Sequence, residues 1–239
     1  MWDFRSFSCI FSIETLKNPK GVYSLNPKVQ LKQLERDIEW LIYQTFLTKQ
    51  TFNAVTAVSK VSGKTDALSK YGDYFAYSQN VMISEVQLQL SKLFVENKDS
   101  HSLYKIIKVA NELFTEKYYK QTGYNQNKSY KEITSNLQQL KSDLKDLEKP
   151  IQNLKKIRNR DLAHLDKRIS DFKKLEVLTE SYPLYIKDIQ DLISFSVKSL
   201  SEIKAIFFNI NLKYEVRNYD YELEQIAKSI EEYLENKKE

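Results

Sequence analysis

A stripe of aliphatic side chains between residues 133 and 157 constrains the fold of this chain more than any other feature. Its members recur every three or four residues, and they are Ile133, Leu137, Leu140, Leu144, Leu147, Ile151, Leu154 and Ile157. This spacing places all of them on one face of an α-helix, which must pack against other helices. Pro150 lies inside the stripe and has no amide hydrogen. We therefore expect a kink there, or a break between two helices.

Glycine and proline are scarce, with four of each in 239 residues, so tight turns and glycine-rich cofactor loops have few places to occur. This scarcity argues against all-β folds and against nucleotide-binding α/β folds. Hydrophobic residues make up 41% of the chain, which is enough apolar material for a buried core. The composition and the aliphatic stripe together predict an all-α fold.

The periodicity of apolar residues also indicates where the other helices lie. It predicts helices over residues 28–59, 74–96, 103–121, 183–208 and 218–235. We divide the chain into an irregular N-terminal arm at residues 1–27, a helical domain at residues 28–208 and a C-terminal extension at residues 209–239. Within the extension, residues 209–216 alternate in polarity, which predicts a short strand or hairpin.

The residues that the sequence lacks indicate its compartment and its chemistry. Cys9 is the single cysteine and cannot form an intrachain disulfide, which favours a reducing compartment. No stretch is long and uncharged enough for a membrane span, so we expect a cytoplasmic protein with no membrane partner. One cysteine and two histidines are too few for a four-ligand zinc site of Cys and His. We expect no metal and no other cofactor.

The strongest local charge surrounds His164. Between Pro150 and Lys174 the chain has eight Lys and Arg against three Asp, a net +5 that equals the formal charge of the whole chain. A positive field concentrated around one histidine attracts a phosphodiester. The other histidine, His101, lies in a polar turn, and we interpret it as an ordinary surface residue.

Arg158, the polar Asn159, four further residues and His164 resemble the Arg-polar-x4-His motif of HEPN domains. The resemblance covers roughly residues 31–200.

The resemblance can be narrowed to the HEPN branch of bacterial abortive-infection proteins. It rests on residues 90–94, then on Ser102, Leu103 and Ile106, and later on residues 158–166. In that branch an acidic residue usually follows the Leu-Phe pair. This chain departs from the pattern, because Val95 stands there and Glu96 comes next.

The resemblance implies an antiparallel helical bundle that forms a homodimer. In active members it also implies a metal-independent endoribonuclease that acts as a toxic effector in anti-phage defence or in a toxin–antitoxin system. By this resemblance Arg158 and His164 line the dimer cleft. The implied partners are an RNA substrate, a second copy of the chain, and an antitoxin or other regulatory protein. The alternative is a non-catalytic helical module that binds RNA or assembles with other proteins.

The residue types of the motif suit RNA cleavage beside the 2′-hydroxyl. His164 can exchange protons near neutral pH with the 2′-oxygen and the leaving 5′-oxygen. Arg158 can hold the phosphate oxygens through its planar guanidinium. Asn159 can orient the phosphate or the imidazole through a hydrogen bond.

Other cations and aromatic residues near the motif are candidates for RNA contacts. The cations expected to bind the RNA backbone are Lys155, Lys156, Arg160, Lys167 and Arg168. Arg160 and Asp161 both lie within reach of His164 on a helix, and the sequence does not decide which of them acts on the imidazole. Tyrosines at positions 118, 119, 124 and 130 could stack on bases, but we favour a place for them in the core.

Helical geometry limits how Arg158 and His164 can act together. Six residues at about 100° each separate their directions by roughly 120° around one helix axis. Either the helix ends or distorts between them, or two copies of the motif meet across a two-fold axis and complete each other's site.

Overall fold

The structure is a computed structural model that describes residues 27–96, 100–122, 128–159, 181–213 and 215–237. The described residues contain no strand and form eight α-helices and one 3-10 helix. The α-helices are α1 (Pro27–Ser62), α2 (Gly72–Leu93), α3 (Leu103–Leu113), α4 (Glu116–Gln121), α5 (Tyr130–Asp146), α6 (Glu148–Ile157), α7 (Ile186–Phe208) and α8 (Asp220–Asn236). The 3-10 helix, Ala67–Tyr71, precedes α2. The predicted all-α fold is confirmed. The N-terminal arm predicted for residues 1–27 lies outside the described residues, except for Pro27, which begins α1.

The aliphatic stripe forms α5 and α6, and seven of its eight members are buried. The break between the two helices lies at Leu147 and not at Pro150. Pro150 falls in the first turn of α6, where amides have no partner within the helix, so its missing hydrogen costs no bond. The start of α5 is fixed by a capping box, in which the side chains and amides of Ser129 and Glu132 bond reciprocally.

The core forms around α1, the longest helix, which contacts α2, α3, α7 and α8. Its apolar face enters the core through Leu34, Ile38 and Leu41, which are at most 2% exposed. The most extensively buried helix is α7, because apolar residues occur on several of its sides and it packs on α1, α2, α3 and α5. The core is therefore organised around α1 and α7.

The single helix predicted over residues 103–121 is divided into α3 and α4. The side chain of Thr115 accepts a hydrogen bond from the Tyr118 amide at 3.2 Å and caps the start of α4. Phe114 is buried at this corner, and its ring stacks on Tyr130 at a centroid distance of 5.7 Å. Tyr118 and Tyr119 also lie against the Phe114 ring, which agrees with the core interpretation of these tyrosines. Tyr124 lies outside the described residues.

The strand predicted over residues 209–216 is wrong for the part of this segment that the structure describes. Asn209 ends α7 in the left-handed conformation, with φ of 56°, and the chain then runs without regular structure to α8. The described residues provide no neighbouring strand with which the alternating segment could pair. The alternation therefore reflects partial burial of single side chains, such as Leu212 against the core.

The C-terminal helix α8 packs on the far end of α1 and on the 3-10 helix. Ala227 of α8 joins Val61, Ala67 and Leu68 in a second, smaller apolar cluster. Ion pairs from α1 and the residues after it border this contact, including Lys64 with Glu224 at 2.6 Å. In the described part of the chain, no helix has the length and apolarity needed to cross a lipid bilayer.

Candidate functional site

The start of the predicted motif lies at the C-terminal end of α6. Ile151, Leu154 and Ile157 anchor α6 because they are buried, and α6 packs against α2. Regular α-helix ends at Ile157, and Arg158 and Asn159 form a wider, π-helical turn. The Arg158 amide donates to both the Leu154 and Lys155 carbonyls, so the backbone remains ordered at this end. The helix therefore changes its geometry where the motif begins.

Arg158 and Asn159 form a pair through their side chains. The Asn159 Oδ1 atom accepts hydrogen bonds from Arg158 Nε at 3.0 Å and from Arg158 Nη2 at 2.7 Å. The amide is neutral, so this contact orients the guanidinium without neutralising its charge. Of the five N–H donors of an arginine, the pair uses one on Nε and one on Nη2, which leaves donors free for phosphate oxygens. Asn159 thus orients the Arg158 side chain, a contact that the sequence did not reveal.

Lys155 lies one turn before Arg158 and is largely enclosed. Its Nζ atom is 3.3 Å from Glu96 Oε1 and 5.4 Å from the centre of the Tyr104 ring, and only 20% of its side chain is exposed. Burial, together with the nearby Glu96 carboxylate, raises the pKa of Tyr104 to about 12. A lysine that is already paired with a carboxylate attracts phosphate less strongly than a free one. This arrangement joins α6 to the end of α2 and the start of α3.

Lys156 differs from its neighbour because it is exposed to solvent. Its Nζ atom lies 4.2 Å from the centre of the Tyr182 ring. An exposed ammonium over an aromatic face can still exchange this contact for a phosphate. Of the two adjacent lysines predicted to bind RNA, Lys156 is the more accessible.

His164, Arg160, Lys167 and Arg168 lie outside the described residues, as does Asp161. Their assignments to catalysis and RNA binding remain predictions. The same holds for the relative placement of Arg158 and His164, so both the distorted-helix and the two-fold explanations stay open.

The structure also reveals a polar cluster that the sequence analysis overlooked. His101 is 45% exposed, as expected for a surface residue, but its Nδ1 atom lies 2.7 Å from a carboxylate oxygen of the buried Asp37. The Lys105 ammonium lies 3.1 Å from the other oxygen of Asp37. One signal was available, since Asp37 falls on the apolar face of α1, three residues after Leu34 and four before Leu41. An acidic residue on a core-facing stripe needs buried partners.

No group of three or more His, Cys, Asp or Glu side chains that could hold a metal ion occurs in the described ranges. Arg158 supplies N–H donors, and the Asn159 amide oxygen already accepts hydrogen bonds from them. The pair therefore suits an anionic ligand better than a cation.

The comparisons with known proteins give one match. The HEPN family AbiU2 matches residues 28–229, a span that includes the bundle, the motif and much of α8. No curated protein and no solved structure matches the chain significantly. The match covers most of the chain, and it coincides with an all-α bundle in which a HEPN-like Arg-Asn pair ends a helix. The chain therefore belongs to the AbiU2 family of HEPN domains.

Proposed function

We propose that this protein is a metal-independent endoribonuclease that acts in the cytoplasm as a toxic effector of anti-phage defence or of a toxin–antitoxin system. The observation that carries the proposal is the Arg158 guanidinium, held by Asn159 at the end of α6 in a member of a HEPN family. Its charge is oriented but not neutralised by the amide. Such a group is suited to a phosphodiester.

The proposed reaction is transfer of the phosphoryl group to the neighbouring 2′-oxygen. His164 removes the 2′-hydroxyl proton as the oxygen attacks phosphorus, and the imidazolium so formed donates that proton to the departing 5′-oxygen. Arg158 stabilises the charge on the non-bridging oxygens through its free N–H groups. The products are a 2′,3′-cyclic phosphate and a 5′-hydroxyl.

A homodimer can complete each site by supplying Arg158 from one copy and His164 from the other. The helix geometry changes at Arg158, and two such helix ends facing each other would form a composite cleft. An antitoxin or other regulatory partner would restrain the toxic activity by covering this cleft. The homodimer is proposed from the family and from the angle of roughly 120° that separates Arg158 and His164 on one ideal helix. The regulatory partner is proposed from the family alone.

The first experiment incubates the purified protein with RNA in the presence of EDTA. Cleavage should persist, because the mechanism uses proton transfer and a guanidinium, and the products should end in a 2′,3′-cyclic phosphate. Loss of cleavage in EDTA with recovery in Mg²⁺ would contradict the mechanism. Binding of RNA without any cleavage would favour the non-catalytic alternative.

The second experiment replaces the motif residues. His164→Ala and Arg158→Ala should each abolish cleavage and growth inhibition, and Arg158→Lys should also fail because an ammonium cannot make a two-pronged phosphate contact. Arg217→Ala is the matched control, since Arg217 is a half-exposed arginine that precedes α8 and pairs with Glu222 of that helix. Circular dichroism should show the same helix content for all variants. Unfolding of His164→Ala would indicate a structural role.

The third experiment tests whether cleavage requires a neutral partner for Arg158. Asn159→Asp retains an oxygen acceptor for Arg158 but places a negative charge beside the guanidinium, so it should reduce cleavage more than Asn159→Ala does. Undiminished cleavage by Asn159→Ala would contradict the orienting role of the amide, and undiminished cleavage by Asn159→Asp would contradict the need for a neutral partner.

The fourth experiment mixes inactive Arg158→Ala and His164→Ala protomers and allows them to exchange. Partial recovery of activity is expected if each site takes its arginine and its histidine from different chains. A mixture that stays inactive would mean that each chain supplies both residues to its own site. An active enzyme that remains monomeric would contradict the composite cleft.

A further inference from the structure

A row of three exposed rings lies on the surface above the buried Asp37. The row consists of Trp40 and Tyr43 on α1 and of His101 just before α3. The Trp40 ring centre is 6.2 Å from that of Tyr43 and 6.4 Å from that of His101. Trp40 and Tyr43 are each 51% exposed. Large aromatic residues are usually buried for their apolar area, so a half-exposed row needs an explanation.

The buried carboxylate of Asp37 holds His101, one member of the row, in place. Asp37 is 2% exposed and receives hydrogen bonds or ion pairs from Gln33, His101 and Lys105. A carboxylate accepts hydrogen bonds only, so the Nδ1 atom of His101 carries the hydrogen that points to it. The Nε2 side of the ring is therefore available to a ligand.

Stability alone does not account for this buried carboxylate. A buried ionic cluster contributes little compared with a well-packed apolar residue, because the charges lose their hydration. Asp37 has a more specific effect on the positions of its partners. It holds the His101 imidazole beside the Trp40 indole, and its second oxygen holds the Lys105 ammonium, which is 30% exposed.

The ring row is connected to the proposed cleavage site through α3. Lys105 faces Asp37, whereas the preceding residue, Tyr104, lies under the ammonium of Lys155 on α6. Lys155 is three residues before Arg158. The first turn of α3 therefore adjoins both the end of α6 and His101 of the ring row.

We propose that the ring row of Trp40, Tyr43 and His101, with Lys105, is a binding subsite for single-stranded RNA outside the cleavage site. The rings stack on bases, and this contact tolerates any sequence because every base has an aromatic face. The Nε2 atom of His101 accepts a hydrogen bond from a ribose 2′-hydroxyl. The Lys105 ammonium, which is paired with Asp37, attracts the linking phosphate, although less strongly than a free lysine would. The mixture of half-exposed rings with a fixed cation matches a nucleotide better than an apolar protein surface. The identity of the ligand as RNA rests on the proposed function.

The test uses the fluorescence of Trp40 to report RNA binding at the ring row. The chain has two tryptophans, so Trp2→Phe leaves Trp40 as the single indole. In this background, Arg158→Ala with His164→Ala prevents cleavage while RNA is titrated. Single-stranded oligoadenylate should quench the Trp40 fluorescence to saturation as bases stack on the indole. The same titration with labelled RNA gives affinity by fluorescence anisotropy.

Variants of the row should change affinity in a graded way. Trp40→Leu should weaken RNA binding about tenfold, the loss expected for one stacked base, and Trp40→Phe should recover much of it. Asp37→Asn should also weaken binding, since it removes the charge that holds His101 and Lys105. Tyr77→Leu is the matched control, because Tyr77 is 70% exposed on α2 and lies outside the row, and it should leave affinity unchanged.

The outcomes separate this subsite from the proposed function. If the protein with an intact motif cleaves RNA but Trp40 is not quenched and Trp40→Leu binds normally, the subsite is refuted and the nuclease remains. Quenching with weakened binding in Trp40→Leu supports the subsite even if no cleavage is found. A change of oligomeric state in Trp40→Leu and Trp40→Phe, with RNA affinity unchanged, would show that the row contacts a second copy and would refute RNA binding there.

Discussion

Replacing Lys155 with alanine should lower the free energy of unfolding, because this side chain joins three helical elements. Its ammonium lies 3.3 Å from Glu96 Oε1, after α2, and 5.4 Å from the centre of the Tyr104 ring on α3. Its aliphatic carbons lie in the interior, since the side chain is 20% exposed. The substitution removes these contacts one turn before Arg158.

The magnitude follows from the three contacts. The ion pair with the half-exposed Glu96 contributes up to about 1 kcal/mol. The cation over the Tyr104 ring adds about 0.5 kcal/mol, and the buried part of the stem adds about 0.8 kcal/mol per methylene. With one to three methylenes beyond Cβ buried, the total loss is about 2 to 4 kcal/mol. For a chain of this length that loss lowers the melting temperature by roughly 4 to 16 °C.

Thermal and urea unfolding, followed by far-ultraviolet circular dichroism, measure this loss. Lys156→Ala is the control, because Lys156 is exposed and contacts only a ring among its described neighbours, so it should cost about 0.5 kcal/mol or less. Lys155→Met keeps the stem and should recover part of the loss. The structural reasoning is refuted if Lys155→Ala unfolds like the parent protein. It is also refuted if Lys155→Ala weakens RNA binding with no change in stability.

Two further predictions concern the aromatic residues of the bundle. Phe114→Ala should lower the free energy of unfolding by about 3 to 5 kcal/mol, because a cavity replaces a buried ring that stacks on Tyr130. Tyr74→Ala, at an exposed position, should change the free energy of unfolding by about 0.5 kcal/mol at most. Equal melting temperatures of the two variants would contradict this prediction. The raised pKa of Tyr104, about 12 against 10.0 for a free phenol, means that the neutral phenol is favoured in the fold. Stability is therefore complete below about pH 10 and falls as pH rises toward 12, by about 1 to 2 kcal/mol after allowance for partial exposure. Urea midpoints across this pH range should show a smaller decline for Tyr104→Phe than for the parent, and identical declines would contradict the assignment.

The helices could be predicted where apolar spacing carried the information. The stripe from Ile133 to Ile157 identified α5 and α6, since its members contact the core through one face. Their junction could not be predicted from Pro150 alone, because proline is compatible with the first turn of a helix. The division at Thr115 was hidden by apolar residues on both sides of it. In the folded chain Thr115 caps α4 at the corner where Phe114 is buried.

The candidate site was predictable only in part. The motif identified Arg158 and Asn159 as neighbours, but not that the Asn159 amide holds the guanidinium. Charge counting grouped Lys155 with Lys156, although one is paired with Glu96 and the other is exposed. Formal charge along a sequence does not distinguish these cases, because pairing depends on contacts between distant residues.

By itself, the sequence determined the all-α class, the helix faces and the HEPN motif, because helical periodicity and motif spacing are local properties of the chain. Only the tertiary structure decided the partners of the polar side chains. His101 and Asp37 are 64 residues apart and have no shared pattern, yet they meet at 2.7 Å once α1 and α3 pack. Burial removes water from such a carboxylate, so its energy depends on the particular donors that packing brings to it.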